Sequence, residues 1–194
     1  QKVDQKRVIS FVSRCINPYE DFDAVIKAAC SEELEYIVSN TTEAGIVYDP
    51  ESKFEQCPPN SFPAKLTKIL YERFKAGRKG VVILSCELID HNGKELEKCV
   101  LQHIDDWKLG EDFKEWITAE NIFCSTLVDR IVPGRIKDAK EVEKLEADNG
   151  YKDDLMDVGE CFGVWIIEGP AQLEERLPFK KAGLRRTGHR SRSP

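Results

Sequence analysis

The segment Ser39-Asn40-Thr41-Thr42-Glu43-Ala44-Gly45-Ile46 follows directly on the apolar stretch Leu34 to Val38. It sets amide, hydroxyl and carboxylate groups at the end of a β-rich run. Ligands of open parallel sheets bind outside the carboxyl ends of the strands, so polar groups placed there are candidates to meet a nucleotide. Ser39, Asn40, Thr41, Thr42 and Glu43 are therefore expected to bind a cofactor, as the far side of a nucleotide site. The competing reading is a strand-end turn satisfied by local Asx and Ser/Thr hydrogen bonds. No pair among the twelve glycines forms a G-x-G. Without one, neither a Rossmann phosphate turn nor a P-loop can be built from this chain.

A second polar edge follows Val81-Val82-Ile83-Leu84, a run apolar on both faces as a central parallel strand should be. It ends in Ser85-Cys86-Glu87 before the turn-forming Asp90-His91-Asn92-Gly93. Cys86 and Glu87 are candidates for the substrate side, although a solvated turn is the favoured reading of Glu87 and Asp90. His91 reads as a turn residue and not a base. The third extended run, Phe123 to Val132, carries Ser125, Asp129 and Arg130 as further substrate-side candidates. Asp129 and Arg130 either form an ion pair that fixes a loop, or Arg130 holds a carboxylate of the substrate. Asp129 is expected to be at least partly buried and paired, since an unpaired buried carboxylate is too costly to keep ionised. The segments 39 to 43 and 123 to 130 are expected to line one cleft. Cys99 and His103 stand four apart on one helical face, yet no second pair completes a metal site, so they read as a buried helix edge.

The elements that must position these groups alternate in type. Val8 to Val12 is a β-rich run, broken by Asn17-Pro18, and Phe22, Val25, Ile26 and Ala29 mark one face of a helix. The next strand is Glu35 to Ser39, with a loop from Tyr48 to Asn60. Ser61 as N-cap and Pro63 in the first turn open a helix with a buried stripe of Phe62, Leu66, Ile69, Leu70 and Phe74. Two helices lie on either side of Gly110, one with Leu96, Cys99, Val100, Ile104 and Trp107 inward, the other with Phe113, Trp116 and Ile117. A charged exposed helix over about Asp138 to Asp148 precedes a last strand, Phe162 to Glu168, ended by Gly169-Pro170. Trp107, Trp116 and Trp165 are expected in the core. This order predicts an α/β layered domain with a mostly parallel sheet and flanking helices.

Residues 1–179 suit one domain, or a piece of a larger one, while residues 180–194 form a basic tail expected to be disordered. The formal net charge is −6, and because the tail holds six basic residues and no acid, the body is twice as acidic. Nucleic-acid binding is dominated by Lys and Arg neutralising phosphates, so no nucleic-acid partner is expected. No apolar run reaches the roughly 18 to 20 residues of a membrane span, and no membrane partner is expected either. The protein reads as soluble and cytoplasmic. Its seven cysteines are odd in number, lack C-x-x-C, and read as reduced, mostly buried thiols. The chain opens with Gln1-Lys2-Val3 and its one Met is Met156, so its start reads as internal.

SNTTEAGI at 39 to 46, FPAKLTKILYERF at 62 to 74, CELIDHNGKEL at 86 to 96 and FCSTLVDRIVPG at 123 to 134 together resemble the mannitol dehydrogenase (long-chain polyol dehydrogenase) family. The first motif is more typical of its hexuronate branch. The resemblance implies an incomplete Rossmann-like domain, lacking the first strand and its Gly-rich turn. It also implies NAD as cofactor and no metal. The implied reaction is hydride transfer to or from an open-chain sugar acid or polyol. D-altronate and D-tagaturonate come first, with mannitol and fructuronate (mannonate) chemistry as alternatives and a noncatalytic α/β binding domain as the reading from another class. The family's catalytic Lys-x4-Asn-x2-His set is absent here, so no catalytic residue is assigned and the chain is expected to be inactive without the missing N- and C-terminal parts. Two departures bear on the substrate side: Ser125 stands where mannitol-type members carry an Asn, and Asn121 where an aliphatic is usual.

Overall fold

A computed structural model describes residues 5–183. In chain order the elements are α1 (Phe22–Ala29), β1 (Tyr36–Ser39), α2 (Phe62–Lys75), β2 (Val82–Ser85), α3 (Asn92–Trp107), α4 (Glu111–Glu120), β3 (Ile122–Asp129), α5 (Ala139–Asn149), β4 (Val164–Glu168) and α6 (Leu173–Arg176). The sheet runs β1-β2-β3-β4. Its first three strands are parallel, and β4 is antiparallel to β3. The parallel pairs are joined by helical crossovers, as parallel pairing requires, which gives the layered α/β architecture expected from the sequence.

Local chemistry explains the helix starts. The Asp21 side chain accepts from the Ala24 amide at 2.9 Å and opens α1. Ser61 Oγ accepts from the Ala64 amide at 3.2 Å, with Pro63 in the first turn, and opens α2. The apolar stripes of α2, α3 and α4 then bury Leu66, Leu70, Leu96, Val100, Ile104, Phe113 and Ile117 against Val81 and Ile83. Each such side chain contributes on the order of 1.5–3 kcal/mol through burial. The opposite face of the sheet has a much thinner cover, in which Val82, Leu84 and Cys124 meet Leu173 of α6.

Two buried polar side chains staple the framework. Arg73 donates to the carbonyls of Ala29 (2.6 Å), Ser31 (2.8 Å), Leu34 (3.0 Å) and Lys79 (2.7 Å), tying α2 to the turn that enters β1. Asn121 Oδ1 accepts from the Val81 amide at 2.9 Å while its Nδ2 donates to Trp116 O at 3.0 Å. That places Asn121 at the amino ends of β2 and β3, at the end of the sheet away from the candidate site, so its departure from the family pattern is absorbed by the framework.

Several expectations are corrected. Val8 to Val12 forms no strand and its apolar side chains are exposed; a β-branched run becomes a strand only where a neighbour supplies ladder partners and a face to bury. The third strand stops at Asp129 instead of Val132, and the last begins at Val164 instead of Phe162. Trp165 is 39% exposed rather than core, because it borders the open cleft at this edge, with the Phe179 ring beside it at 5.6 Å. Trp107 and Trp116 are half-buried. Of the seven cysteines only Cys86, Cys99 and Cys124 are buried; Cys30 is half-buried and Cys15, Cys57 and Cys161 are exposed, all as free thiols. The short helix α6 has no period long enough to read from sequence. Residues 180–183 form turns, and the rest of the basic tail lies outside the described residues. Among the described residues no helix is long and apolar enough to cross a membrane, and no group of three His, Cys, Asp or Glu could hold a metal ion.

Candidate functional site

The register of the parallel strands sets Ser39 and Ser85, the last residues of β1 and β2, side by side with Ser125, midway along β3. The Cys86 amide donates to Ser39 O at 2.8 Å and carries the ladder one step further. Immediately beyond, the two connecting segments are bound together by Glu87. One carboxylate oxygen accepts from the Thr41 amide (3.1 Å) and from Thr41 Oγ1 (3.0 Å); the other accepts from Ser39 Oγ (3.2 Å). Glu87 is only 2% exposed. It is therefore not part of a solvated turn, whereas Asp90 and His91 are exposed. His91 adopts a left-handed conformation, φ 54°, at the entry of α3, as a turn residue does.

Asn92 holds the neighbouring edge. Its Nδ2 donates to Glu87 O (2.8 Å) and Thr126 O (2.9 Å), and its Oδ1 accepts from the amides of Gly93 and Thr126, both at 2.9 Å. Gly93 brings the start of α3 against β3 so closely that a Cβ there would lie 2.4 Å from the carbonyl carbon of Cys124. Thr126 Oγ1 donates to Ser85 O at 2.6 Å. Ser85 Oγ and Ser125 Oγ are buried with no hydrogen-bond partner among the described residues.

Two open clefts adjoin this edge. The first, of about 490 Å³, is lined by Asn40, Thr41, Thr42, Glu43, Ala44 and Leu88. The second, of about 320 Å³, is lined by Val38, Asn40, Cys86, Val128, Arg130 and Trp165, among others. Asn40 belongs to both. The structure thus brings together the two segments, 39 to 43 and 123 to 130, that the sequence separates widely.

Asp129 is not buried and paired as expected, and of the two readings of Arg130 the ion pair with Asp129 is not formed. Both are exposed, and among the described residues they form no ion pair with each other. By Asp129, β3 has run past the start of α3 and no described element covers it, so its carboxylate needs no buried partner. Arg130 Nε donates instead to Glu160 O at 2.8 Å.

The local electrostatics favour uncharged thiols. Burial pushes the Cys86 thiol up, and the Cys124 thiol up to about 11. Neither is a ready nucleophile at neutral pH. Cys99 and His103 are both buried, in keeping with a helix edge. The His103 ring lies between Tyr48 (4.9 Å) and Trp107 (4.8 Å), and burial holds its pKa below the ordinary value.

Sequence reasoning missed Asn92 and Leu88 as parts of this edge. An Asn-Gly pair signals a turn, and the turn is there, but the depth of Asn92 depends on how closely α3 meets β3. Leu88 is an exposed apolar side chain on the rim of a polar cleft, and no periodicity marks it.

Comparison with known proteins agrees with this architecture. A family model described as the mannitol dehydrogenase Rossmann domain matches residues 1–181. The chain is 45% identical over 188 residues to altronate oxidoreductase of Bacillus subtilis (strain 168), covering 95% of the chain and 39% of that protein. It is 46% identical over 188 residues to altronate oxidoreductase of Klebsiella pneumoniae subsp. pneumoniae, covering 95% and 38%. The chain thus spans about two fifths of the length of the curated relatives it matches. The crystal structure of D-sorbitol dehydrogenase in substrate-free form superposes with a TM-score of 0.68 at 26% identity, covering 88% of this chain and 37% of that one. The Pseudomonas fluorescens mannitol 2-dehydrogenase ternary complex with NAD and D-mannitol gives 0.63 at 22% identity, covering 78% and 32%, and shows the shared fold. With three parallel strands closed by an antiparallel one, polar groups gathered at their carboxyl ends, and a family match over nearly its whole length, the chain belongs to the mannitol dehydrogenase family and carries its Rossmann domain.

Proposed function

We propose that this chain is the cofactor-domain portion, residues 1–179, of a cytoplasmic NAD-dependent oxidoreductase that interconverts the secondary alcohol and the ketone of an open-chain hexuronate, D-altronate and D-tagaturonate. The observation that carries the reading is the position of Asn40, shared by a cleft of hydroxyl and amide groups and a cleft walled by Trp165, Val128 and Arg130. A nicotinamide riboside with its sugar-acid partner needs such a junction of two neighbouring spaces at the carboxyl edge of a parallel sheet.

The bound cofactor supplies the hydride chemistry, and the protein's part is to orient, desolvate and polarise. Asn40, Thr42 and Glu43 line the first cleft and suit ribose hydroxyls or a carboxamide; Thr41 and Ser39 are engaged by Glu87 and act by shaping the loop. Leu88 and Ala44 offer apolar contact at the rim. On the substrate side, Cys86 and Arg130 line the second cleft, Arg130 with its guanidinium toward an acid group, while Asp129, between Val128 and Arg130 in sequence, lines neither cleft. Ser125, with an unpartnered hydroxyl, lies at the inner end of the same edge. No Lys-x4-Asn-x2-His set occurs in the chain, so the electrophile that polarises the carbonyl comes from another part of the enzyme.

The test is steady-state kinetics of the full-length enzyme with NADH and tagaturonate. Asn40→Ala should raise the KM for NADH at least tenfold. Turnover of tagaturonate with an unchanged NADH KM in that variant would remove Asn40 from the cofactor site, and no turnover by the wild type would overturn the assigned reaction.

A further inference from the structure

The clearest unabsorbed feature of the edge is a buried carboxylate that faces neither cleft: Glu87 lines neither of them. Both of its oxygens are taken by donors from the β1 side, three in all, across the β1–β2 boundary. Hydrogen bonds to an ionised acceptor are about twice as strong as neutral ones. The groups they restrain, Ser39 and Thr41, flank Asn40 in sequence and are followed by Thr42. The turn beyond is equally closed: the Gly45 amide donates to Thr42 O at 2.7 Å, and a Cβ on Gly45 would lie 1.9 Å from Thr41 Oγ1. Thr41 is therefore held from below by Glu87 and leaves no room above for a side chain at position 45.

From this geometry we infer that Glu87 is a positioning residue for the cofactor loop. Resting on the proposed function above, it fixes Thr41 so that Asn40 and Thr42 are presented to the cofactor cleft, and Gly45 is the second half of the same clamp. This moves Glu87 from the substrate side, where its place beside Cys86 in the sequence put it, to the cofactor side. An unclamped loop must be ordered by the cofactor at each binding event, which weakens cofactor binding without touching the reacting atoms.

The test combines kinetics on the full-length enzyme with amide hydrogen exchange on the 194-residue chain. In Glu87→Ala the KM for NADH should rise at least twentyfold, with the tagaturonate KM within twofold of wild type and kcat within threefold. Glu87→Gln should recover to within about threefold, since its amide oxygen can still accept from Thr41 and the Ser39 hydroxyl can turn to accept from its NH2. Gly45→Ala should reproduce the NADH effect by displacing Thr41, and the double variant should be no worse than either single one. A tagaturonate KM that moves in place of the NADH KM, additive effects of Glu87→Ala and Gly45→Ala, or a well-folded Gly45→Ala with normal NADH KM would each overturn the inference. The Thr41 amide should be protected in the wild-type chain and should lose at least tenfold protection in Glu87→Ala. That readout stands even if the full-length enzyme uses neither NADH nor tagaturonate, and retained protection would refute the clamp.

Discussion

Asn92 completes both backbone groups of Thr126 with one side chain: its Oδ1 accepts from the Thr126 amide and its Nδ2 donates to the Thr126 carbonyl, each at 2.9 Å. Asn92→Ala would strand these two groups together with the Glu87 carbonyl. With about 1–3 kcal/mol for each buried group left unpaired, and some recovery by water, the loss should be about 3 kcal/mol. Urea unfolding of the chain measures it, and a loss below about 1 kcal/mol would show that the edge reorganises freely.

Arg73 supplies the corresponding anchor at the other end of the sheet, with four backbone carbonyls on one guanidinium. Arg73→Lys keeps the charge but not the fork. It should cost at least about 2 kcal/mol in urea unfolding and lower the thermal midpoint, and a neutral result would mean that the carbonyls are readily hydrated.

Stability should fall on mild acidification because of His103. Burial holds its folded-state pKa below the ordinary 6.5, against the raising influence of Asp106 and Asp49. The unfolded chain therefore takes up a proton that the folded chain refuses. The His103 contribution is fully present above about pH 6.5 and is lost as pH falls through the window below it. His103→Gln should flatten that limb of a stability profile measured from pH 8 to pH 5, and an unchanged slope would assign the effect elsewhere.

The 194-residue chain alone should not oxidise NADH with tagaturonate, and its affinity for NAD should be about 1 mM or weaker, roughly 4 kcal/mol or less. It lacks both a Gly-rich phosphate turn and a catalytic lysine set. Micromolar binding in calorimetry would show that the phosphates have a site within these residues.

Thiol labelling should divide the cysteines in two. Cys15, Cys57 and Cys161 are exposed and should react rapidly with a disulfide reagent, while Cys86, Cys99 and Cys124 are buried and should react only as the chain opens. Rapid labelling of Cys124, whose thiol is pushed up to about 11, would mean that the α6 face opens readily.

Most of the fold was legible because its signals are local. Ser61 and Pro63 announce α2, the all-apolar Val81 to Leu84 announces a central strand, and Gly110 separates α3 from α4. What misled were groups whose surroundings come from distant residues. Val8 to Val12 has strand composition but no partner strand among the described residues; Trp165 has core composition but borders an open cleft, with only the Phe179 ring against its own among the described residues. Glu87 and Asp129 illustrate the same limit at the site. Each is a carboxylate just past a β-rich run, yet one is enclosed because Ser39 and Thr41 supply three donors, and the other is open because β3 outruns its covering helix.

That overrun changes what forms the wall of the second cleft. Ser125 pairs on both sides, with Ser85 in the parallel ladder and Glu168 in the antiparallel one, and from there β3 and β4 continue alone to Asp129 and Val164. At about 3.4 Å per residue the two-stranded projection reaches roughly 14 Å beyond the sheet. The wall carrying Val128 and Trp165 is thus an arm of the sheet itself, stiff where a loop would sway, and indexed by ladder register. A slip of one residue would turn Val128 out of the cleft and Leu127 into it. The connection from Ile131 to Phe162, α5 included, hangs from the tip of this arm, so that stretch can lengthen, shorten or change its sequence while Val128 and Trp165 keep their place.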